Sequence, residues 1–367
     1  MPVQTRSERF TSTAHADFPE VTGREVNWKY TPVAKLGDLI DGELDGSPYE
    51  IAYADAAGTT VEWVDRTHAL VGAAGIPEDR AAANAWTSFE KALHIRLEGD
   101  AEALTVVRST LGGTARAAHT IVSAAKGATG LVVLDSQGDA KLTENVEIVL
   151  EDDANVTVVS VQQWDDSALH LASQYARVGH GASLRHIVVS LGGDVVRVNP
   201  SAHLAEEGAE AELYGVYFAD AGQHLEQQVY VNHDAPHTRS RVTYKGALNG
   251  EGAHTVWIGD VLIGRDATGT DTYEQNRNLV LSDGTRADSI PNLEIETGDI
   301  EGAGHASATG RFDDEQLFYL QARGIPEDEA RRLVVLGFLS EVVQKIGEPV
   351  LEARLHEALE DELAAAR

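Results

Sequence analysis

His305 is the side chain whose type and surroundings in this sequence best suit metal chemistry. It stands in a run of small residues, 302–308, directly before a region of helical pattern. Small neighbours leave the imidazole uncrowded, and neutral imidazole is a ready ligand for iron. The chain contains no cysteine, so a metal at His305 would need other ligand types or a ligand from another chain. A histidine in such a loop without any function is the alternative.

Three further histidines, His224, His233 and His237, lie close together along the chain. A cupin-like metal site in a β-sandwich is one interpretation of this group. The spacing carries little metal information, because His233 and His237 do not share a helix. Asp234 and Pro236 instead favour a polar turn around His233, with strand ends beside it.

Sequence signatures of common enzymes are missing. There is no GxxxxGK[ST] motif, so we do not expect this chain to hydrolyse ATP. Neither GxSxG nor HExxH occurs. Gly192-Gly193 lacks the following helix that a phosphate loop requires and is predicted to form a turn. Tyr244 and Trp257 lie in strand-like runs and are predicted to be packing residues.

Composition limits the partners of the chain. The 367 residues carry 29 basic and 59 acidic side chains, a formal net charge of -30. Such a surface repels nucleic acid and anionic lipid, so neither is expected as a partner. The absence of cysteine excludes disulfides and thiolate chemistry within the chain and fits a cytoplasmic protein. No secretory signal is visible at the start, and no apolar run is long enough to span a membrane.

The elements that must position these residues change in type along the chain. Residues 76–94 are predicted to be a helix, with apolar residues at helical spacing. From about 100 to 300, short β-rich runs alternate with small or acidic turns. An alanine recurs in them with separations of 26, 28 and 27 residues, at Ala128, Ala154, Ala182 and Ala209. This period predicts a stacked β-solenoid with a small residue at a tight corner, a β-sandwich being the alternative. Parallel and antiparallel pairing are both left open.

From residue 311 onward the pattern is helical. A first helix is expected to begin at Asp313-Asp314 and to end at Gly324, and a second to restart at Pro326. Gly337 inside the second helix costs about 1 kcal/mol relative to alanine, which suggests close packing against a backbone or ring. A third begins at Pro349. The sequence thus predicts a helical or irregular region over 1–98, a β core over 99–304 and a C-terminal helical domain over 305–367.

A longer pattern connects these features to a known family. The segments 223–248, 254–263, 271–300 and 304–338 together resemble the SufB/SufD family of iron–sulfur cluster assembly proteins, and the SufD branch most closely. The resemblance is close over about 215–346 and looser over most of the chain. It implies a mainly β fold with helical ends, built on a right-handed parallel β-helix.

The resemblance also implies partners. These are a SufB paralogue, paired through the β-helix as a heterodimer, and SufC, an ABC-type ATPase bound by the C-terminal helices. A homodimer in the absence of SufB is left open. The chain itself would be a scaffold subunit and not an enzyme, with a transient iron–sulfur cluster or iron shared with SufB and no ATP site of its own.

The resemblance assigns roles to particular residues. The family histidine implicated at the heterodimer interface lies six residues before the arginine of a Gly-Arg pair, which here is Arg311, so the metal or cluster role falls on His305. Some members have cysteine two residues before it, where this chain has Ala303, so any thiolate must come from SufB or from a sulfur donor. The expected ATPase dock is Arg311, Asp313, Asp314, Glu315, Gln316, Phe318, Tyr319, Arg323, Gly337 and Phe338.

Two other functions remain as alternatives. The chain could be a purely structural partner of SufB in which His305 has no metal contact. A β-helix enzyme acting on polysaccharide is the other, and it predicts Asp and Glu stacked on one solenoid face.

Overall fold

The computed structural model describes residues 9–311 and 314–365. Seventeen strands in this part of the chain form two sheets, one of nine strands and one of eight. The strands are β1 (Thr59–Asp65), β2 (Lys91–Leu97), β3 (Leu104–Arg108), β4 (Gly112–Ala124), β5 (Thr129–Gly138), β6 (Ala140–Leu150), β7 (Asn155–Trp164), β8 (Leu169–Val178), β9 (Ser183–Leu191), β10 (Val195–Leu204), β11 (Glu210–Ala219), β12 (His224–His233), β13 (Arg239–Leu248), β14 (His254–Ile263), β15 (Thr270–Val280), β16 (Arg286–Ile295) and β17 (Ile300–Arg311).

Successive strands alternate between the two sheets. The even-numbered strands stack in the order β2 to β16 in one sheet, and the odd-numbered strands stack from β3 to β17 in the other. All of these pairs are parallel, and the only antiparallel pair of named strands is β1 with β2 at the first end. This is a β-solenoid of about eight turns, so the predicted solenoid is confirmed and the sandwich is wrong.

The recurring alanines occupy the corners of the coil, as their period predicted. Ala128, Ala154, Ala182 and Ala209 are fully buried, and each backbone N–H donates to the carbonyl three residues earlier. In the next two turns the same corner holds Thr238 and Thr270, which are also buried. The turn length is not constant, however. Asn155 pairs with Ser183, an offset of 28 residues, whereas Arg239 pairs with Asp271, an offset of 32.

The space between the sheets holds one continuous core of small and β-branched side chains. Two large rings, Tyr244 and Trp257, lie fully buried within it, which confirms them as packing residues. Glycine makes room for such rings. A Cβ on Gly215 would lie 2.1 Å from the ring of Tyr244, so no other residue fits there without displacing the ring.

The region before the solenoid differs from the sequence prediction. The helix predicted over 76–94 is shorter: α2 spans Arg80–Ser88, and Asp79 caps it by accepting from the Ala82 N–H at 2.9 Å. After Ser88 the chain becomes extended and continues as β2, which lies between β1 and β4. Strand pairing on both sides outweighs the local helical spacing there.

The other helices flank the sheets. Near the N-terminus are two 3-10 turns, His15–Asp17 and Val33–Lys35, and a short helix α1, Gly37–Asp41. After the solenoid come α3 (Asp314–Gln321), α4 (Glu327–Val343) and α5 (Pro349–Ala365). Helices α4 and α5 pack on the outer face of the odd-numbered sheet, where apolar side chains such as Val189, Val216 and Phe218 meet Leu339 and Leu355.

The division of the chain into three domains stays a prediction. Strands β1 and β2 fall inside the first predicted range, and β17 crosses the boundary predicted between 304 and 305. Within the described residues, no helix is both long enough and apolar enough to cross a membrane.

Candidate metal-binding site

His305 lies in the middle of β17, the last strand of the odd-numbered sheet. One edge of β17 pairs with β15, and in the described part of the chain no strand pairs with its other edge. The imidazole is therefore carried by the open end of the solenoid rather than by a loop. The sequence predicted a flexible segment of small residues, and the structure shows those residues as a strand.

The small residues around His305 leave its side chain accessible. The imidazole is 46% exposed. Gly310 has nothing within 4 Å of where a Cβ would stand, whereas a Cβ on Gly304 would lie 3.2 Å from the ring of Tyr273. Small side chains thus keep the last strand close to β15 and leave the histidine free to meet another molecule.

A buried carboxylate lies directly behind the imidazole. Glu274 on β15 is the register partner of His305 on β17. Its side chain is only 1% exposed, and its Oε1 lies 3.8 Å from the Nδ1 of His305. Neither carboxylate oxygen of Glu274 makes a hydrogen bond within the described residues. Such a group is costly to bury as an anion.

The position of Glu274 depends on a glycine of the other sheet. A Cβ on Gly259 would lie 2.3 Å from the Oε2 of Glu274 and 2.3 Å from the ring of Trp257. Only glycine therefore lets the carboxylate and the indole ring share this layer of the core.

Burial controls the charge of this carboxyl. Desolvation, with a smaller contribution from the negative charge of Asp260, raises the pKa of Glu274 to about 8. The backbone N–H of Asn292 is near enough to oppose this rise, although it does not meet hydrogen-bond geometry with either carboxylate oxygen. Asp260 itself is balanced. Its Oδ2 accepts from Arg9 at 3.0 Å, and its Oδ1 accepts from the Asn292 side chain at 2.8 Å.

The site is incomplete as a metal site within one chain. His305 offers a nitrogen donor, but no three His, Cys, Asp or Glu side chains of the described residues are grouped so that they could hold a metal ion. A stable iron site generally needs more than one protein ligand. A complete ligand set at His305 would therefore need groups from outside the described residues.

Comparison with known proteins gives this geometry its context. The family model "SUF system FeS cluster assembly, SufBD core domain" matches residues 107–338, from the third strand of the solenoid into α4. This chain belongs to the SufBD family. The predicted family is thereby confirmed, and its membership supports a role in iron–sulfur cluster assembly. The assignment to the SufD branch stays a prediction.

Individual relatives agree with the family model. An iron–sulfur cluster assembly SufBD family protein of Mycobacterium tuberculosis is 47% identical over 98% of this chain and 93% of its own length. A protein of the same description from Mycobacterium leprae is 47% identical over 93% of this chain and 90% of its own. A second SufBD protein of M. tuberculosis is 30% identical, over 55% of this chain and 24% of its own.

The other histidines of this SufBD chain do not form a shared site. His233 is the last residue of β12, directly before a turn that leads to β13, so the predicted turn with strand ends beside it is confirmed. His233 is fully buried between the hydroxyls of Thr238 and Ser240, at 2.8 and 2.9 Å, and burial lowers its pKa to about 3. His224 instead lies 3.1 Å from His254. The cupin-like site is therefore wrong.

The residues predicted to dock the ATPase lie on the strand end and on the first two C-terminal helices. Arg311 ends β17 and pairs with Asp283 at 2.7 Å. Phe318 and Tyr319 on α3 are 72% and 54% exposed, and the Arg323 guanidinium lies 4.2 Å from the Tyr319 ring centre. Asp313 lies outside the described residues. Asp314, Glu315 and Gln316 form the first turn of α3.

Two predicted docking residues lie on α4 of the SufBD chain. Gly337 is exposed and has nothing within 4 Å of a Cβ position, so the close packing expected there is wrong within this chain. Phe338 is half-buried, and the ammonium of Lys245 lies 4.7 Å from its ring centre. The helix therefore presents an open small-residue position beside a ring held against the solenoid.

Glu274 was not predicted as a site residue, although it lies in a segment that matches the family. Thr272, Glu274, Asn276 and Asn278 alternate along β15 and are all buried. In the sequence this alternation of polar residues has the appearance of a solvent-facing strand. Only the register between β15 and β17 reveals that Glu274 faces the histidine.

Proposed function

We propose that this chain is a non-ATPase subunit of a SufB–SufC–SufD-type scaffold complex. In this proposal it pairs with a SufB paralogue, binds the SufC ATPase and contributes His305 to a site at the SufB interface. It carries out no catalytic step itself. Iron and sulfide are cargo of the complex, which the chain helps to hold while a cluster forms.

The observation that carries the proposal is the accessible imidazole of His305 on a strand with an open edge. An unpaired strand edge is a template for pairing with another chain. A second chain paired with that strand would bring its own side chains close to His305. Because this chain has no cysteine, the thiolates that hold clusters would come from the paired subunit.

A second surface supports the ATPase as a partner. Phe318, Tyr319 and Gly337 are exposed on α3 and α4, on helices that follow the strand of His305 directly. Exposed aromatic side chains next to an open glycine position suit the docking of a rigid partner surface. The acidic surface of the chain offers charge complementarity to a basic one.

Motion of the docked ATPase would reach the solenoid through the helices. The buried ammonium of Lys245 on β13 bonds the carboxylate of Glu341 on α4 and donates to the Phe338 carbonyl at 3.3 Å. Arg354 on α5 donates to Asp135 on β5 at 2.7 Å. We infer that ATP binding by a SufC pair shifts these helices and opens the interface near His305, with the ATPase supplying the free energy.

The test is cluster formation by the reconstituted complex. His305→Ala, co-expressed with SufB and SufC, should assemble normally but form no cluster, measured by iron and sulfide content and visible absorption. Ser307→Ala is a matched control, because Ser307 lies on the same strand and its hydroxyl donates to the Ser289 hydroxyl at 2.8 Å. An unchanged cluster yield in His305→Ala would reject the metal role and leave a purely structural partner of SufB. If the unmodified chain did not associate with SufB or with SufC, the proposed complex would be rejected.

A further inference from the structure

Among the fully buried glutamates of the described chain, only Glu274 has neither an arginine partner nor a hydrogen bond on its carboxylate oxygens, and the imidazole of His305 lies 3.8 Å away. Glu144 and Glu226 each meet an arginine and a histidine, and Glu147 accepts from two backbone N–H groups and His119. Both oxygens of Glu274 are without a hydrogen bond, in a side chain that is 99% buried. A polar group that is buried without a partner calls for a functional explanation.

The geometry beside His305 suggests what that explanation is. Metal–nitrogen and metal–oxygen bonds to first-row metals are roughly 2.0–2.2 Å long, so two atoms bound to one ion are at most about 4.4 Å apart. The Nδ1 of His305 and the Oε1 of Glu274 are 3.8 Å apart. The separation of these two atoms is therefore within the reach of one cation.

The two donors are of types that iron accepts together. Sites built from imidazole and carboxylate, with positions left open for other ligands, are typical of non-haem ferrous iron. A carboxylate also neutralises part of the charge of the ion, which a neutral imidazole does not. The cation would in turn supply the charge partner that Glu274 lacks within the chain.

The packing around Glu274 holds its side chain in one position, as a metal ligand requires. Gly259 leaves just enough space for the carboxylate next to the ring of Trp257. The nearby acid, Asp260, is held away from the site by Arg9 and Asn292. Glu274 is thus positioned against the imidazole by rigid strands on both sides, as ligand sites require.

We propose that the carboxylate of Glu274 is a direct iron ligand next to His305. This chain then contributes an adjacent nitrogen and oxygen pair, and the remaining positions are filled by groups from the paired subunit and by sulfide. The inference rests on the proposed function, because it takes His305 as an iron ligand at that interface.

The experiment measures metal binding rather than cluster assembly. The SufB–SufC-associated complex is titrated with Co²⁺, a spectroscopic probe for the ferrous site, and the ligand-field absorption is recorded. The variants are Glu274→Gln, which keeps the shape of the side chain, Glu274→Asp, which keeps the charge, and His305→Ala. Asp271→Asn is the control, because Asp271 is a carboxylate of the same strand that pairs with Arg241 and Arg239 away from His305.

Glu274→Gln should lower the Co²⁺ affinity at least tenfold and shift the ligand-field bands, as His305→Ala should. Glu274→Asp should retain the band positions with weaker binding, and Asp271→Asn should match the unmodified complex. If the bands of Glu274→Gln are unshifted, or its affinity falls less than tenfold, while His305→Ala loses binding, Glu274 is not a ligand and the proposed function stands. If His305→Ala also binds Co²⁺ normally and forms clusters, the proposed metal role of His305 fails first.

Discussion

Glu144 and Glu274 are both buried inside the solenoid, but they differ in the partners that surround their carboxylates. Each has a side chain that is 1% exposed. Glu144 lies in the closed part of the coil, where Arg108 donates to both of its oxygens at 2.6 Å and His170 lies 2.7 Å away. Glu274 lies at the open end, where its ion-pair contact is a half-exposed histidine, His305, at 3.8 Å.

The difference separates a structural carboxylate from one kept for another molecule. The positive charge of Arg108 holds the pKa of Glu144 well below its usual range despite the burial. Nothing comparable acts on Glu274, and desolvation raises its pKa to about 8. The charge of Glu144 is balanced within the chain, whereas the Glu274 carboxyl keeps its proton at neutral pH unless a positive charge from outside the chain stabilises its anion.

Removing Arg108, the partner of Glu144, should destabilise the folded chain. Arg108→Met leaves Glu144 buried without its bidentate partner, and breaking a buried pair in this way costs about 3–5 kcal/mol. We expect the free energy of unfolding, measured by urea denaturation of the full chain at pH 7, to fall by that amount. The control is Arg185→Met, whose pair with Glu212 at 2.7 Å is 40% exposed on the arginine side and should change stability by less than about 1 kcal/mol. Equal losses in the two variants would contradict the contrast.

Glu274, at the open end of the solenoid, should make the stability of the chain depend on pH. The folded chain keeps the Glu274 proton up to a pKa of about 8, whereas the unfolded chain releases it near the ordinary value of 4.5. Between these values the folded state binds more protons, so its stability falls as the pH rises through the window. The limiting slope for one group is about 1.4 kcal/mol per pH unit.

Glu274→Gln abolishes that titration. We expect the unfolding free energy of the variant, relative to the unmodified chain, to rise by about 2 kcal/mol between pH 5.5 and 7.5 in metal-free urea titrations. His186 and His233, whose pKa values burial lowers to about 4 and about 3, destabilise both proteins equally at lower pH and cancel in the difference. A difference that does not change with pH would show that Glu274 has an ordinary pKa.

Glycines beside the buried rings and beside Glu274 allow a test in which the expected change in stability is smaller. In the closed part, Gly215 and Gly246 make room for the rings of Tyr244 and Tyr217, whereas Gly259 makes room for the Glu274 carboxylate and Trp257. Gly259→Ala should cost about 1–2 kcal/mol, because the added methyl group would overlap both the indole ring of Trp257 and the carboxylate of Glu274.

Gly302→Ala is the matched control at the same end of the solenoid. Its nearest neighbour would be Asp271 Oδ1 at 3.8 Å, an ordinary contact, so we expect no loss in the thermal midpoint. If Gly259→Ala melted like the unmodified chain, the layer around Glu274 would be loose rather than fixed.

The same contrast explains what the sequence could predict. The solenoid could be predicted from the alanines, because four successive turns place a small buried residue at the same corner. The helix predicted over 76–94 failed at its second half, where pairing of β2 on both sides outweighs a local pattern. His305 was found from its family motif, whereas its partner within the chain was missed.

The missed partner has a geometric cause. A constant period of 27 would have placed residue 278 beside His305, since 305−27 = 278. The last turns are longer, and the residue in register is Glu274, since 305−274 = 31. The irregular turn length therefore decides which side chain faces the histidine, and it cannot be read from the period of the earlier turns.

Arg311 and Asp283 form a third kind of pair, in which both side chains face solvent. Both side chains are more than three-quarters exposed, at a separation of 2.7 Å. Water screens such a pair, so Arg311→Ala should change the unfolding free energy by less than about 0.5 kcal/mol. If Arg311 belongs to the ATPase dock, the same variant should nevertheless bind SufC more weakly, measured by calorimetry with the purified ATPase. Arg265→Ala, an 84% exposed arginine on a solenoid corner, should leave both quantities unchanged. Weaker binding without loss of stability would mark Arg311, like Glu274, as a residue whose partner lies in another molecule, and unchanged binding would remove it from the dock.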